Sequence, residues 1–166
     1  MILIDYDLAS EYHDVMVHAP RWQAPTYVLS LVDGGTCLEE KLICALFSGT
    51  AKSTHRARQI AESYQNCPYV YLMTTKGDQL FATFFLPEEQ KWWIEYVEKK
   101  PRETFGLEKA SVTFADALYW PAKLSMRLPK RLKELSPCGA NCLSCAAYRR
   151  CLRCPATVHC QKLGDR

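Results

Sequence analysis

The sequence predicts an α+β protein: a small, mostly antiparallel sheet with two or three packed helices and a Cys-rich, metal-binding C-terminal tail. Three observations predict it: a hairpin pattern in residues 69–86, helix-end signals between Pro87 and Pro101, and six of nine cysteines within residues 138–160. A chain of 166 residues with 48% hydrophobic content suits one globular domain with a small appendage. We therefore divide it into an α+β body, residues 1–135, and a tail, residues 136–166.

The start of the body carries mixed signals. Apolar alternation in residues 2–6 fits a short strand, whereas residues 9–17 could form a helix. Residues 21–25 read as a loop between two prolines. Residues 27–32 are short and rich in β-branched and aromatic side chains, which predicts a strand.

Two helices are predicted next. Thr36 and Glu39 form a capping box, which predicts a helix ending at residues 48–49. Its expected buried stripe is Leu38, Leu42, Ala45 and Leu46. A second helix is predicted over residues 53–65. Its expected buried stripe is Ala57, Ile60, Ala61 and Tyr64.

The clearest local signal is a hairpin. Strands at residues 69–75 and 80–86 are joined by four turn-forming residues, 76–79. Pro87 then occupies the first position of a predicted helix, and Pro101 stops it. The apolar stripe of that helix is Trp92, Trp93, Tyr96 and Val97. The body closes with a predicted strand at 110–114 and a basic segment, 121–135, that leads to the tail and is interrupted at Pro129.

The tail cysteines are the least random feature of the chain. Their spacing is C-x3-C-x2-C-x5-C-x2-C-x5-C, and they are Cys138, Cys142, Cys145, Cys151, Cys154 and Cys160. A C-x2-C pair lets a tight turn point two sulfurs at one metal. Gly139 and Asn141 tolerate the backbone angles of such a wrap, and Pro155 turns the chain away.

The cellular compartment decides how these thiols are interpreted. No apolar run reaches the roughly 18 residues of a membrane span, so no membrane association is expected. The N-terminus has acidic residues where a secretory signal has basic ones, which favours the cytoplasm. In a reducing compartment a dense thiol cluster is more often a metal site than a disulfide framework, which stays as an alternative.

The spacing also bears on which cofactor is held. Only five residues separate Cys145 from Cys151, too few for the hairpin of a zinc ribbon. Six thiolates exceed the four that one zinc needs, so two cysteines are spare, ligands bridge two metals, or His159 takes part. We prefer a [4Fe–4S] cluster, with zinc as the alternative.

A family resemblance points the same way. The run Cys142-x2-Cys145-x5-Cys151-x2-Cys154-Pro155 resembles the auxiliary-cluster tails of SPASM-type radical SAM enzymes. The resemblance covers about 20 residues and implies cluster ligation by the tail cysteines. Cys138-x3-Cys142-x2-Cys145 also has the spacing of the radical SAM motif, but the chain is too short for the barrel that motif belongs to, so no SAM chemistry is implied.

Charge is divided unevenly between body and tail. Residues 121–166 hold ten Lys and Arg against two acids, a net +8, which leaves −5 for residues 1–120. Arg149, Arg150 and Arg153 could contact an anionic partner such as nucleic acid. They could equally offset the negative charge of a thiolate-bound metal centre.

These observations favour a metal-binding protein over an enzyme acting on its own. No nucleophile–base–orienter set is recognisable, and Cys37, Cys44 and Cys67 are isolated in the sequence. The preferred function is [4Fe–4S] binding by a small redox or maturation component that works with a larger enzyme. The alternative is a zinc-binding module that docks to nucleic acid or to a protein.

Overall fold

Seven β-strands form one sheet in this computed structural model, which describes residues 12–18, 26–29, 38–117, 123–129, 131–145 and 151–160. The strand order is β4-β5-β3-β2-β1-β7, with β6 paired to β3, and every pairing is antiparallel. The strands are β1 Tyr12–His18, β2 Thr26–Leu29, β3 Leu38–Thr50, β4 Val70–Lys76, β5 Gln79–Pro87, β6 Lys109–Phe114 and β7 Lys123–Pro129. The helices are α1 Thr54–Ser63, α2 Lys91–Lys99 and α3 Pro101–Thr104. The predicted α+β class is confirmed.

The long strand β3 corrects the helix predicted from the capping box at Thr36. β3 pairs with β2 near its start, then with β5 on one side and β6 on the other. Hydrogen bonds to these neighbouring strands pair the backbone N–H and C=O groups of β3. The stability of this pairing outweighs the local preference for a helix. Burial follows the strand period: Ala45 and Phe47 are buried, whereas Leu46 between them is 48% exposed.

Strand β1 corrects a second helix prediction, that for residues 9–17. It pairs with β7 over seven positions, from Tyr12 opposite Pro129 to His18 opposite Lys123. The partner is more than 100 residues away in sequence, so no local pattern could reveal it. The basic segment predicted to lead into the tail therefore supplies a sheet strand. The predicted strand at 2–6 and loop at 21–25 lie outside the described residues, and the strand at 27–32 is confirmed as β2 over its described part.

The predicted hairpin is confirmed as β4 and β5. Lys76 pairs with Gln79, which leaves a two-residue turn. Gly77 has φ +61°, a conformation that glycine adopts without steric cost. The hairpin places β4 at one end of the strand order, and the loop leading into it carries part of the candidate site.

Helix α1 lies within the predicted range. It begins after Ser53, whose hydroxyl oxygen caps the helix by accepting a hydrogen bond from the Arg56 amide at 3.2 Å. Helix α2 begins later than predicted: Pro87 ends β5, and a 3₁₀ turn, Glu88–Gln90, comes between. Its buried residues are Ile94 and Val97, whereas Tyr96 is 43% exposed, so the predicted stripe is only partly right. The predicted strand at 110–114 is confirmed as β6.

The core consists of apolar side chains from the sheet and the helices. A cluster of aromatic side chains surrounds Phe84, which is fully buried. The centroid of its ring lies 5.9 Å from that of Phe47 and 6.1 Å from that of Trp93, and both pairs are edge to face. Phe105 contacts the same rings and Tyr64 at the end of α1. Among the described helices, none combines the length and the apolar character that crossing a membrane requires.

Candidate metal centre

The first cysteine-bearing loop of the tail closes around Cys138. The Ser136 amide and hydroxyl both donate to the carbonyl of Ala140, at 3.1 and 2.9 Å. The Gly139 amide donates back to the Ser136 carbonyl at 2.8 Å, and Gly139 has φ +82°. The Ser136 hydroxyl also lies 3.2 Å from the Cys138 sulfur. The loop therefore fixes Cys138 on a tight turn.

The second half of the tail is bound to the first through Lys133. Its amide donates to the Ala156 carbonyl at 3.2 Å, and its carbonyl accepts from the Val158 amide at 3.1 Å. Between them, Thr157 is fully buried and its hydroxyl donates to the Cys154 carbonyl at 2.9 Å. These bonds bring the segment of Cys154 against the start of the tail.

Two contacts attach the tail to the body. The phenol of Tyr69, just before β4, donates to the Arg153 carbonyl at 3.3 Å. The Gln90 side chain, which is only 4% exposed, donates from Nε2 to the Cys151 sulfur at 3.4 Å. Leu152 is also buried, with 5% exposure. The segment 151–154 thus rests on the body.

All eight cysteines that the structure describes are free thiols: Cys44, Cys67, Cys138, Cys142, Cys145, Cys151, Cys154 and Cys160. The disulfide alternative therefore has no support among them. Within the same described residues, no three His, Cys, Asp or Glu side chains are grouped so that they could hold a metal ion. The thiols must move relative to one another before they could share a single ion.

Burial sets the acidity of two of these thiols. Burial raises the pKa of the Cys154 thiol above its usual range, and the charges of other thiols raise it further. Those other thiols are Cys67, Cys138 and Cys142. Burial also raises the pKa of Cys67 to about 12, with a contribution from the charge of Cys138.

Backbone amides point at three of the sulfurs. Amides of Tyr69 and Val70 hydrogen-bond Cys67 and lower its pKa, in part offsetting burial. The Ala156 amide does the same for Cys154, and the Arg153 amide donates to the Cys151 sulfur at 3.3 Å. Such bonds stabilise a thiolate, the form that binds metals.

The other predicted site residues are arranged differently. Cys145 is exposed, and Cys160 donates its amide to the Thr157 carbonyl at 3.1 Å. The Arg153 guanidinium donates to the His159 carbonyl at 2.9 Å, which directs it into the tail. His159 Nε2 lies 3.0 Å from a carboxylate oxygen of Glu134. Arg149 and Arg150 lie outside the described residues, as does the whole connection 146–150.

Sequence reasoning missed two residues of the body that contact the tail. Tyr69 and Gln90 carried no signal, because each meets its partner in the tail only through the fold.

We compared the chain with protein-family models, with curated proteins and with solved structures, and none of them matched. The resemblance to SPASM-type tails therefore stays a prediction.

Proposed function

We propose that this chain binds a [4Fe–4S] cluster through its C-terminal cysteines and works as a small redox or maturation component with a larger enzyme. The proposal rests mainly on one observation: Cys138, Cys142 and Cys154 are free thiols on two loops of the tail. Hydrogen bonds of Lys133 with Ala156 and Val158 join the segment of Cys154 to the start of the tail. Thiolate is the ligand that iron–sulfur clusters require.

The spacing of the tail cysteines favours a cluster over a single ion. Only five residues separate Cys145 from Cys151, too few for the hairpin of a zinc ribbon, and six thiolates exceed the four that one zinc needs. In a [4Fe–4S] cluster each of four thiolates binds a different iron.

The residues around the thiols suit a cluster that exchanges electrons. Backbone N–H groups donate hydrogen bonds to the sulfurs of Cys151 and Cys154, and the tail carries a net positive charge. Both features favour the reduced state of a bound cluster, which is the more negative one. A cluster bound in this way supplies one-electron transfer. It then needs a protein donor or acceptor, and for that reason we assign the chain to work with a larger enzyme.

Zinc is the second candidate, and the number of tail cysteines permits it. Four thiolates complete one tetrahedral zinc site, and the tail has six cysteines to supply them. In that case the basic tail would dock to nucleic acid or protein, with Arg149 and Arg150 as the phosphate contacts.

Metal analysis of anaerobically purified protein separates the two candidates. We expect a brown protein that absorbs at about 400 nm and contains iron and acid-labile sulfide. A variant with serine at Cys138, Cys142 and Cys154 is expected to lose all three properties. Cys44→Ser is the matched control, because Cys44 is a buried cysteine on β3 and not one of the tail cysteines. Colourless protein with one zinc per chain would contradict the cluster.

The docking branch of the zinc candidate has its own test. Binding to short RNA or DNA is measured at low and at moderate salt for the wild type and for the Arg149→Ala, Arg150→Ala double variant. Salt-sensitive binding that the double variant loses would support this candidate. Equal binding by both proteins, or no binding at low salt, would contradict it.

A further inference from the structure

We infer that the body carries a binding site of its own: a basic surface cavity that holds the phosphate group of a small molecule. The cavity has a volume of about 420 Å³ and lies between the start of α1, helix α3 and the loop before β6. The described residues that line it are Lys52, Ser53, Arg56, Arg102, Gly106 and Glu108. None of them belongs to the tail, so this inference goes beyond the proposed function and does not depend on it.

The charges of the lining residues fit a phosphate monoester. Lys52 follows β3, Arg56 lies in the first turn of α1 and Arg102 lies in α3, so three separate segments each bring one cation to the cavity. Among the described lining residues Glu108 alone is acidic, and its carboxylate is paired with the Arg102 guanidinium. Three positive charges and one negative charge give a formal net charge of +2. A phosphate monoester carries about −1.5 to −2 at pH 7, which complements this charge.

The start of α1 adds to the positive potential of the cavity. Ser53 caps this ten-residue helix, and its carbonyl accepts from the Ala57 amide at 3.0 Å. The first turn contains no acidic residue, although the positive end of a helix dipole favours acids there. The helix instead begins between two cations, Lys52 and Arg56. Positive charges of this kind repel one another, and an anion bound between them replaces the repulsion with attraction.

Gly106 allows the Arg56 guanidinium to lie against the loop before β6. Gly106 has φ +70°, and a Cβ atom at this position would lie 2.7 Å from Nη2 of Arg56. Any larger residue would therefore push the guanidinium away as well as strain the backbone. Nη1 of Arg56 also donates to the Gln59 side chain at 3.5 Å. The guanidinium is thus held at the cavity, where its planar set of N–H donors suits two phosphate oxygens at once.

The wall of the cavity opposite α1 is fixed to the rest of the body. The Glu108 amide donates to the Thr50 carbonyl at 2.7 Å, which ties the loop to the end of β3, two residues before Lys52. The Leu107 amide donates to the Pro101 carbonyl at 3.0 Å, which ties the same loop to the start of α3. Leu107 itself is fully buried. Because these bonds already order the backbone, binding costs little conformational entropy.

The size and the lining of the cavity identify the class of ligand. A volume of about 420 Å³ falls within the range of roughly 300–1,000 Å³ that small-molecule sites have. Proteins that bind single-stranded nucleic acid stack the bases on aromatic side chains, and the described residues that line this cavity include no aromatic one. Apart from Gly106 these residues are polar or charged, so the remainder of the ligand is a polar group such as a sugar.

Isothermal titration calorimetry of the full chain, in buffer free of phosphate and sulfate, tests the site. The probe is ribose 5-phosphate, and unphosphorylated ribose is its control. We expect about one ribose 5-phosphate per chain with a dissociation constant of about 1 mM or lower, and no binding of ribose. Arg56→Gln should weaken the binding at least about tenfold, because it removes charged donors to the phosphate. Arg58→Gln is the matched control and should bind as the wild type does, since Arg58 is an exposed arginine of the same helix that is not among the lining residues.

A second measurement uses only the wild type, in case Arg56→Gln does not fold, which far-UV circular dichroism tests. Ribose 5-phosphate should slow hydrogen exchange of the amides in residues 52–56 and leave exchange in β5 unchanged. The inference is wrong if ribose 5-phosphate does not bind, if the two arginine variants lose affinity equally, or if exchange in residues 52–56 stays the same. Tighter binding of inorganic phosphate or of a short single-stranded DNA than of ribose 5-phosphate would overturn the assigned class of ligand.

Discussion

Tyr69 and Arg153 are joined by a hydrogen bond, 3.3 Å from phenol to backbone carbonyl, across 84 residues of sequence. This bond connects the loop that holds Cys67 to the segment that holds Cys154. The bond therefore attaches the tail to the body beside the start of β4.

Replacing Tyr69 with phenylalanine should weaken this junction. The change removes one hydrogen bond and keeps the ring, so a loss of about 0.5–1.5 kcal/mol is expected. Hydrogen exchange of the amides in residues 151–160 should become faster, while exchange in β5 stays unchanged. Tyr71→Phe is the matched control, because Tyr71 is 49% exposed and lies on the adjoining strand. Equal exchange rates in the two variants would show that the bond does not hold the tail.

The aromatic core makes a second prediction. Phe84→Ala removes a fully buried ring that contacts Phe47 and Trp93, which should lower the free energy of unfolding by about 3–5 kcal/mol. Phe81→Ala, on the same strand but at a side chain 42% exposed, should cost about 1 kcal/mol or less. Urea unfolding of the cofactor-free protein measures both. Similar losses would contradict the assignment of burial along β5.

Ionisation of Cys44 on β3 should lower the free energy of unfolding at alkaline pH. Burial raises the pKa of its thiol above the usual range, so the unfolded chain releases this proton at lower pH than the folded chain does. The stability it contributes is complete below the unfolded pKa of about 8.5 and is lost as the pH rises through the folded value. Between about pH 8 and pH 10.5, the wild type should therefore lose more unfolding free energy than Cys44→Ala does. Urea titrations under reducing conditions give this difference, and parallel pH curves would contradict it.

Local elements of the fold were predictable, and elements set by distant partners were not. The hairpin β4–β5 and helix α1 depend on signals a few residues apart, the turn at Gly77 and the cap at Ser53. The capping box at Thr36 was equally local and was wrong, because β5 and β6 flank the residues that follow it. No helix propensity offsets two rows of sheet hydrogen bonds.

The candidate site was likewise only partly predictable. The tail spacing drew attention to six cysteines, and their role as ligands stays a prediction: Cys138, Cys142, Cys145, Cys151, Cys154 and Cys160. Tyr69 escaped notice because its bond to Arg153 depends on how the loop before β4 and the tail are folded. Gln90 escaped for the same reason, since a glutamine in a helix-start sequence gives no hint that it will bond a cysteine 61 residues away.

The most direct test of the central claim is quantitative metal and sulfide analysis of the full chain, purified without oxygen. We predict about four iron and about four sulfide per chain, with zinc well below one. A protein that contains neither iron nor sulfide, both as purified and after anaerobic reconstitution, would contradict the claim.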